Sequence, residues 1–186
     1  MYEIKHSWTS SQPPHTSPIV TILDNNHIHI LSDAAVDADG APNADVIDDY
    51  GQLETSLRRS RGWRGEGEFV NALTIPYFVL PGNWKAITGI KCSLGDIAKL
   101  SLNDAVVFAI YADVGGHDSI GEASVKAIVE LGGNPWRNGK IKVGLGYGVS
   151  YEIVPGSAKL DATRSFEDIQ QYGHELFFDL AHSPQG

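Results

Sequence analysis

The stretch AVVFAIYADVGGHDSIGEASVKAIVEL, residues 105–131, changes its pattern twice and carries the fold prediction. Its run 106–111 is apolar and β-branched, so it predicts a short buried strand that ends next to Asp113. A Gly-Gly pair at 115–116 supplies the backbone freedom for a reversal. From Ser119 onward the apolar residues recur at helical spacing, and a second Gly-Gly pair follows as a stop signal. The stretch therefore predicts a strand, a tight turn and a helix.

Two carboxylates lie on either side of this turn, Asp113 at the end of the predicted strand and Glu122 in the first turn of the predicted helix. Unpaired N–H groups and the helix dipole favour the ionised form of Glu122, whereas apolar surroundings would keep Asp113 protonated to higher pH. Two acids whose pKa values differ suit general acid and general base catalysis. The pair is therefore a candidate catalytic site.

A structural explanation of the same residues stays open at this point. Ser119-x-x-Glu122 is also a capping box, in which Glu122 accepts a hydrogen bond from the backbone N–H of Ser119. Asp113 is equally typical of a turn residue that accepts local N–H bonds. Spacing alone does not separate these interpretations.

The remaining pattern predicts a mainly β domain with peripheral helices, an α+β fold built on a small β-barrel. Strands are expected at 19–23, 27–31, 75–80, 87–92, 97–102, 106–111 and within 140–154, and an amphipathic helix is expected at 165–180. Residues 1–18 form a Pro- and Ser-rich irregular arm, and 19–183 form a single catalytic domain. The arrangement around GDIAKLSLND also looks like a double-psi β-barrel.

Five segments together resemble glycoside hydrolase family 75, the chitosanases of fungi and bacteria. They occur in the family's order and cover most of the chain from about Asp33: DADGAPNAD at 37–45, IPYFVLP at 75–81, GDIAKL at 95–100, YADVGGHDSIGEAS at 111–124 and VSYEIVPGS at 149–157. The specific part is the strand, aspartate, glycine turn and GEAS sequence. The segment after DADGAP is shorter than in bacterial members of the family, and we expect it to border the sugar groove.

The resemblance implies an endo-acting, inverting hydrolase of β-1,4-linked glucosamine polymers, with Asp113 and Glu122 as the essential pair. We expect Asp113 as general acid and Glu122 as general base, and Asp37 and Asp39 stay open as alternatives for the base. Inversion requires the second carboxylate to activate a water on the opposite face of the sugar. Such carboxyl pairs stand roughly 6.5–9.5 Å apart.

Substrate contacts are expected at five further residues. Asp37 and Asp39 are candidates for binding sugar amines, His117 lies within the turn, and Trp63 and Trp136 offer aromatic planes for the apolar face of a sugar ring. The acidic run around Asp37 superficially resembles a calcium loop, but it lacks the glycine and the glutamate at the required positions. No metal and no cofactor are therefore predicted.

The charge balance restricts the partners. With 14 basic and 23 acidic residues the formal net charge is −9, which argues against nucleic acid because phosphate binding needs a basic face. An acidic groove would instead attract a cationic polysaccharide. There is no apolar run long enough to span a membrane, and the single cysteine excludes an internal disulfide. We expect a monomer whose partner is a polysaccharide.

Two other functions remain as alternatives. The first residues carry no secretory signal pattern, yet the expected place of action is extracellular or a cell-wall compartment. A hydrolase of peptidoglycan glycan strands, delivered as an effector or lysin, would use the same carboxylates. A non-catalytic carbohydrate-binding module would need Glu122 only as a cap.

Overall fold

The computed structural model describes residues 1–58 and 68–182 of the 186-residue chain, with side chains described up to residue 179. The described residues form twelve strands: β1 Tyr2–Glu3, β2 Thr9–Ser10, β3 Ile19–Ile22, β4 Ile28–Asp37, β5 Tyr77–Pro81, β6 Ile97–Leu102, β7 Ala105–Gly115, β8 Ser119–Ile120, β9 Glu122–Ser124, β10 Trp136–Arg137, β11 Lys140–Ile141 and β12 Leu145–Val154.

The helices are short except for the last one. They are α1 Ala44–Ile47, α2 Trp84–Thr88, α3 Val125–Glu130 and α4 Phe166–His182, with one turn of 3₁₀-helix at Leu160–Ala162. Within the described part of the chain, no helix combines the length and the apolar character that crossing a membrane requires.

Six strands close into a β-barrel in the order β4-β12-β6-β7-β5-β9, and the pairing of β9 with β4 completes the ring. The pairs β4–β9 and β5–β7 are parallel, whereas the other pairs in the ring are antiparallel. The predicted mainly β fold, a small barrel with peripheral helices, is confirmed. The double-psi-like arrangement stays a prediction.

Apolar side chains fill the barrel and the space beneath α4. Ile30 and Ile153 belong to one buried cluster, and Ile75, Ile110 and Ile169 belong to the other. Each of these five side chains is at most 1% exposed. Full burial of an isoleucine side chain contributes about 1.5–3 kcal/mol, so these clusters hold the strand ends in place.

The C-terminal helix was predicted at nearly its observed position. Its start is a capping box, in which the Asp168 N–H donates to the Ser165 hydroxyl and the Ser165 N–H donates to the Asp168 carboxylate, both at 3.1 Å. Phe177 packs against Phe108 of β7 with ring centroids 5.5 Å apart. The helix therefore docks on the barrel, as expected.

Two predicted elements are wrong. The run 87–92, expected as a strand, is the end of α2 and an irregular segment; Trp84 begins that helix and is buried against Trp8 with ring centroids 5.7 Å apart. The helix expected from Ser119 begins only at Val125, and its N-cap is Ser124, whose hydroxyl accepts the Ala127 N–H.

The N-terminal arm explains the later helix start. Its strand β2 pairs in parallel with β8, so residues 119–120 are drawn into extended structure. Arm residue Ser10 donates a hydrogen bond to buried Asp33, and Ser11 bonds the Ser119 hydroxyl at 2.9 Å. The arm predicted to be irregular thus carries two short strands and closes over the start of β9.

We predict that Gly121→Ala strongly destabilises the fold. Gly121 has φ +93°, and an added Cβ would lie 2.2 Å from Asp33 Oδ1. Left-handed strain and overpacking together should lower the free energy of unfolding by about 2–5 kcal/mol, measured by urea denaturation. Gly116→Ala is the matched control, since an added Cβ there has no neighbour within 4 Å. Equal stabilities of the two variants would contradict the prediction.

Candidate active site

Four neighbouring strands of the barrel bring the acidic residues together. Glu122 starts β9 and is paired with Ala35 of β4, the strand that ends at Asp37. On the other side of β9 lies β5, whose Val79 is paired with Asp113 of β7. Because paired residues of adjacent strands point to the same face, Asp37, Glu122 and Asp113 converge on one edge of the barrel.

The Asp113 carboxylate is held by three donors on a single oxygen. Its Oδ1 accepts the Ser56 N–H at 2.9 Å, the Ser56 hydroxyl at 2.5 Å and the Val114 N–H at 2.8 Å. None of these bonds involves Oδ2. The carboxylate is therefore fixed in orientation while its second oxygen keeps its acceptor capacity.

Asp37 and Asp39 lie beside Asp113, and one oxygen from each of the three carboxylates lies within 4.8 Å of the other two. Asp37 is 7% exposed and accepts the Asp39 N–H at 2.8 Å. Burial, reinforced by the charges of Glu122, Asp39 and Asp113, holds the pKa of Asp37 well above its usual range. The structure thus brings both aspartates, predicted as contacts for sugar amines, next to Asp113.

Asp39 is bound by Gln52. Its Oδ1 accepts the Gln52 N–H at 2.7 Å and its Oδ2 accepts the Gln52 side-chain N–H at 3.1 Å. Burial nevertheless raises the pKa of Asp39 to about 6, because it outweighs the opposing effect of the Gln52 bonds, and the Asp113 charge adds to the rise. The hydroxyl of buried Tyr77 donates to the Asp39 carbonyl at 3.1 Å and so helps to hold the Asp39 turn in place.

Glu122 differs from its sequence prediction. It lies in a strand, outside any helix, so Ser119 and Glu122 form no capping box and no helix dipole stabilises its charge. Burial raises the pKa of Glu122 to about 7, and the charges of Asp39 and Asp113 act in the same direction. The expectation that Glu122 is readily ionised is therefore wrong. Gly115 leaves space beside it, because an added Cβ would lie 3.6 Å from Glu122 Oε2.

The four carboxyl groups line a cleft of about 920 Å³. Its described walls carry seven acidic and two basic side chains: Asp37, Asp39, Asp48, Asp49, Glu54, Asp113 and Glu122 against Arg58 and Lys142. Both basic groups are paired within the walls, Lys142 with Asp49 at 3.2 Å and Arg58 with Glu54 at 3.6 Å. The cleft is consequently a strongly acidic surface that attracts cations.

The segment 48–58 forms one wall of this cleft, as predicted for the stretch after DADGAP. It supplies Gln52 and Ser56, which hold Asp39 and Asp113, and it places Tyr50 at the rim with 92% of its surface exposed. The sequence analysis missed all three residues. Only the family resemblance pointed to this segment, since no local pattern shows which carboxylate each residue contacts.

His117 and Trp136 are not among the described residues that line the cleft. His117 is exposed beside Gly82 and directly follows Gly116, which does line the cleft. Trp136 is 43% exposed on β10, and its strand partner Ile141 belongs to the cleft wall. Trp63 lies outside the described residues. The structure thus places Trp136 next to the cleft and gives no support to His117 as a sugar contact.

The group formed by Asp37, Asp39 and Asp113 has the spacing of a hard-cation site as well as of a site for a substrate ammonium group. The sequence analysis predicted no metal. Mutual repulsion among the three carboxylates is relieved equally by a cation, by an amine or by retained protons. Burial raises the pKa values of Asp37 and Asp39, and the neighbouring carboxylate charges add to the rise, so these groups keep their protons to higher pH than ordinary aspartates.

No family model matches the chain, and no curated protein matches it. The likeness to glycoside hydrolase family 75 therefore rests on the five segments themselves, three of which contribute residues to the cleft or to the strand that supports it: 37–45, 75–81 and 111–124.

We predict that the stability of the protein falls as pH rises from about 4.5 to about 7. In this range an unfolded glutamate with the ordinary pKa of 4.5 has lost its proton, whereas folded Glu122 retains its proton up to about 7. The folded state then binds more protons than the unfolded state, so the free energy of unfolding decreases with pH, by on the order of 3 kcal/mol from Glu122 alone.

Urea denaturation across this pH range, compared between the wild type and Glu122→Gln, measures the effect. The variant should show a shallower decline, with the remainder due to Asp37 and Asp39, whose pKa values are also raised. Identical pH dependences in the two proteins would show that Glu122 titrates as an ordinary glutamate.

Proposed function

We propose that the protein is an endo-acting, inverting glycoside hydrolase of β-1,4-linked glucosamine polymers such as chitosan. The observation that carries the proposal is the acidic cleft, which half-buried Glu122 lines together with a group of three further carboxylates. A site of this kind supplies both a protonated and an ionised carboxyl group near neutral pH, as hydrolysis of a glycosidic bond requires.

The geometry favours the reverse of the acid and base roles expected from the sequence. Glu122, with its pKa raised to about 7, keeps a proton to donate. Asp113, with three hydrogen-bond donors on Oδ1, is held as an oriented acceptor whose Oδ2 can take a proton from water. We therefore assign Glu122 as general acid and Asp113 as general base.

In the reaction, the Glu122 proton passes to the glycosidic oxygen while the bond from that oxygen to the anomeric carbon breaks. A water on the opposite face of the sugar forms the new bond to the anomeric carbon and gives its proton to Asp113 Oδ2. The β-linkage thus yields an α-configured reducing end. Asp39, within 4.8 Å of Asp113, is placed to hold this water or the neighbouring ammonium group.

The charge of the cleft favours a cationic polymer over peptidoglycan. Glucosamine residues carry ammonium groups that the seven carboxylates of the walls attract, whereas the peptide and lactyl carboxylates of peptidoglycan would be repelled. The protein acts on this polymer as a monomer, and we place its action outside the cell or in a cell-wall compartment, where such polymers occur.

We predict that Asp113→Asn and Glu122→Gln each lower kcat on soluble chitosan by about 10²–10⁴-fold, because each removes one proton-transfer step. The control Asp104→Asn changes an exposed carboxylate in the turn between β6 and β7, outside the described cleft lining, and should retain wild-type activity. Mass spectrometry of the products detects the glucosamine oligomers.

Peptidoglycan is incubated in parallel in the same experiment. Muropeptides as the sole products would replace the proposed substrate with a cell-wall glycan. The absence of product from both polymers would overturn the proposed hydrolase activity and favour a non-catalytic carbohydrate-binding module.

We also predict that Tyr50→Ala raises KM for long glucosamine oligomers by about 2–10-fold, because an exposed aromatic plane at the cleft rim stacks on the apolar face of a sugar ring. Tyr50→Phe keeps the ring and should retain the wild-type KM. An equal rise of KM in Tyr50→Phe and Tyr50→Ala would assign the role to the hydroxyl group instead.

A further inference from the structure

We propose that Ser56 is a positioning residue, which orients the Asp113 carboxylate for proton transfer and links catalysis to the segment that forms the cleft wall. The inference rests on the proposed function. It assigns a role to a residue that lies 57 positions from Asp113 and outside every recognised motif segment.

The Ser56 hydroxyl takes part in two hydrogen bonds that fix its direction. It accepts the Val114 N–H at 3.2 Å and donates to Asp113 Oδ1 at 2.5 Å. Because a hydroxyl that accepts in one direction has its hydrogen free for another, the proton of Ser56 is directed onto the carboxylate. A donor to an ionised oxygen at this distance forms a short, charge-assisted bond.

The Ser56 hydroxyl and the Ser56 N–H, at 2.9 Å, both donate to Asp113 Oδ1, so the wall segment 48–58 holds this oxygen. The carboxylate cannot rotate about its terminal bond without breaking both contacts. Oδ2 is consequently the oxygen presented to the water, and its direction is set by Ser56 together with the Val114 N–H.

The backbone around Ser56 is itself anchored. The Leu57 N–H donates to the Ala112 carbonyl at 2.8 Å, and the Thr55 hydroxyl accepts the Val70 N–H at 3.0 Å. Leu57 and Thr55 are each at most 5% exposed, whereas Ser56 between them is exposed to the cleft. The hydroxyl therefore projects from a rigid support, which is the requirement for orienting a catalytic group.

Steady-state kinetics on a soluble glucosamine oligomer test this role with three variants. Ser56→Ala should lower kcat by about 10- to 100-fold, the equivalent of one hydrogen bond to a charged group, and leave KM within about twofold. Ser56→Thr restores the hydroxyl and should recover most of kcat. Leu53→Ala, at an exposed residue of the same segment outside the described cleft lining, controls for loop disturbance and should match the wild type.

The outcomes separate the two proposals. An active wild type with unchanged kcat in Ser56→Ala overturns the role of Ser56 alone. Equal losses of kcat in Ser56→Ala and Ser56→Thr, or a change of KM with kcat unchanged, also overturn the role of Ser56. In either case the hydroxyl would not be the group that orients Asp113. A wild type that forms no product overturns the proposed function and the role of Ser56 with it. Thermal unfolding of each variant confirms that a loss of kcat occurs in folded protein.

Discussion

Crowding of carboxyl groups at one edge of a small barrel is the constraint on which the rest of the structure depends. Burial and mutual repulsion both disfavour the ionised forms of Asp37, Asp39 and Glu122. Gln52 and Ser56 offset part of this cost by donating hydrogen bonds to Asp39 and Asp113. The result is a site in which some carboxyl groups retain protons and one is held as an oriented acceptor, a division that suits acid and base chemistry.

The barrel tolerates this crowding of carboxyl groups because contacts remote from the cleft hold its strands in position. Parallel pairing of β4 with β9 and of β5 with β7 sets the positions of Glu122 and Asp113, and the apolar clusters hold those strands in register. Since stability comes from the core, the cleft can keep unfavourable charges. Five of the six barrel strands were predictable, because they carry apolar, β-branched runs, whereas the three-residue β9 was expected as part of a helix.

The position of Glu122 was not predictable from local sequence. The sequence indicated Ser119 as the helix cap, whereas Ser124 caps the helix in the structure, and the difference depends on β2, a strand from the arm more than 100 positions away in sequence. That strand extends residues 119–120, and Gly121 then turns the chain with φ +93°. The same limit applies to Ser56 and Gln52, whose partners are set by tertiary structure. The acidic pair and the DADG turn were recognised because their motifs are contiguous, whereas the residues that orient them are not.

We propose that the acidic cleft hydrolyses glucosamine polymers by a single displacement at the anomeric carbon. Proton NMR of the first products from a soluble glucosamine oligomer, recorded before mutarotation, tests this mechanism directly. A single displacement predicts that new reducing ends appear first in the α configuration. Initial formation of the β configuration, or the absence of new reducing ends, would contradict it.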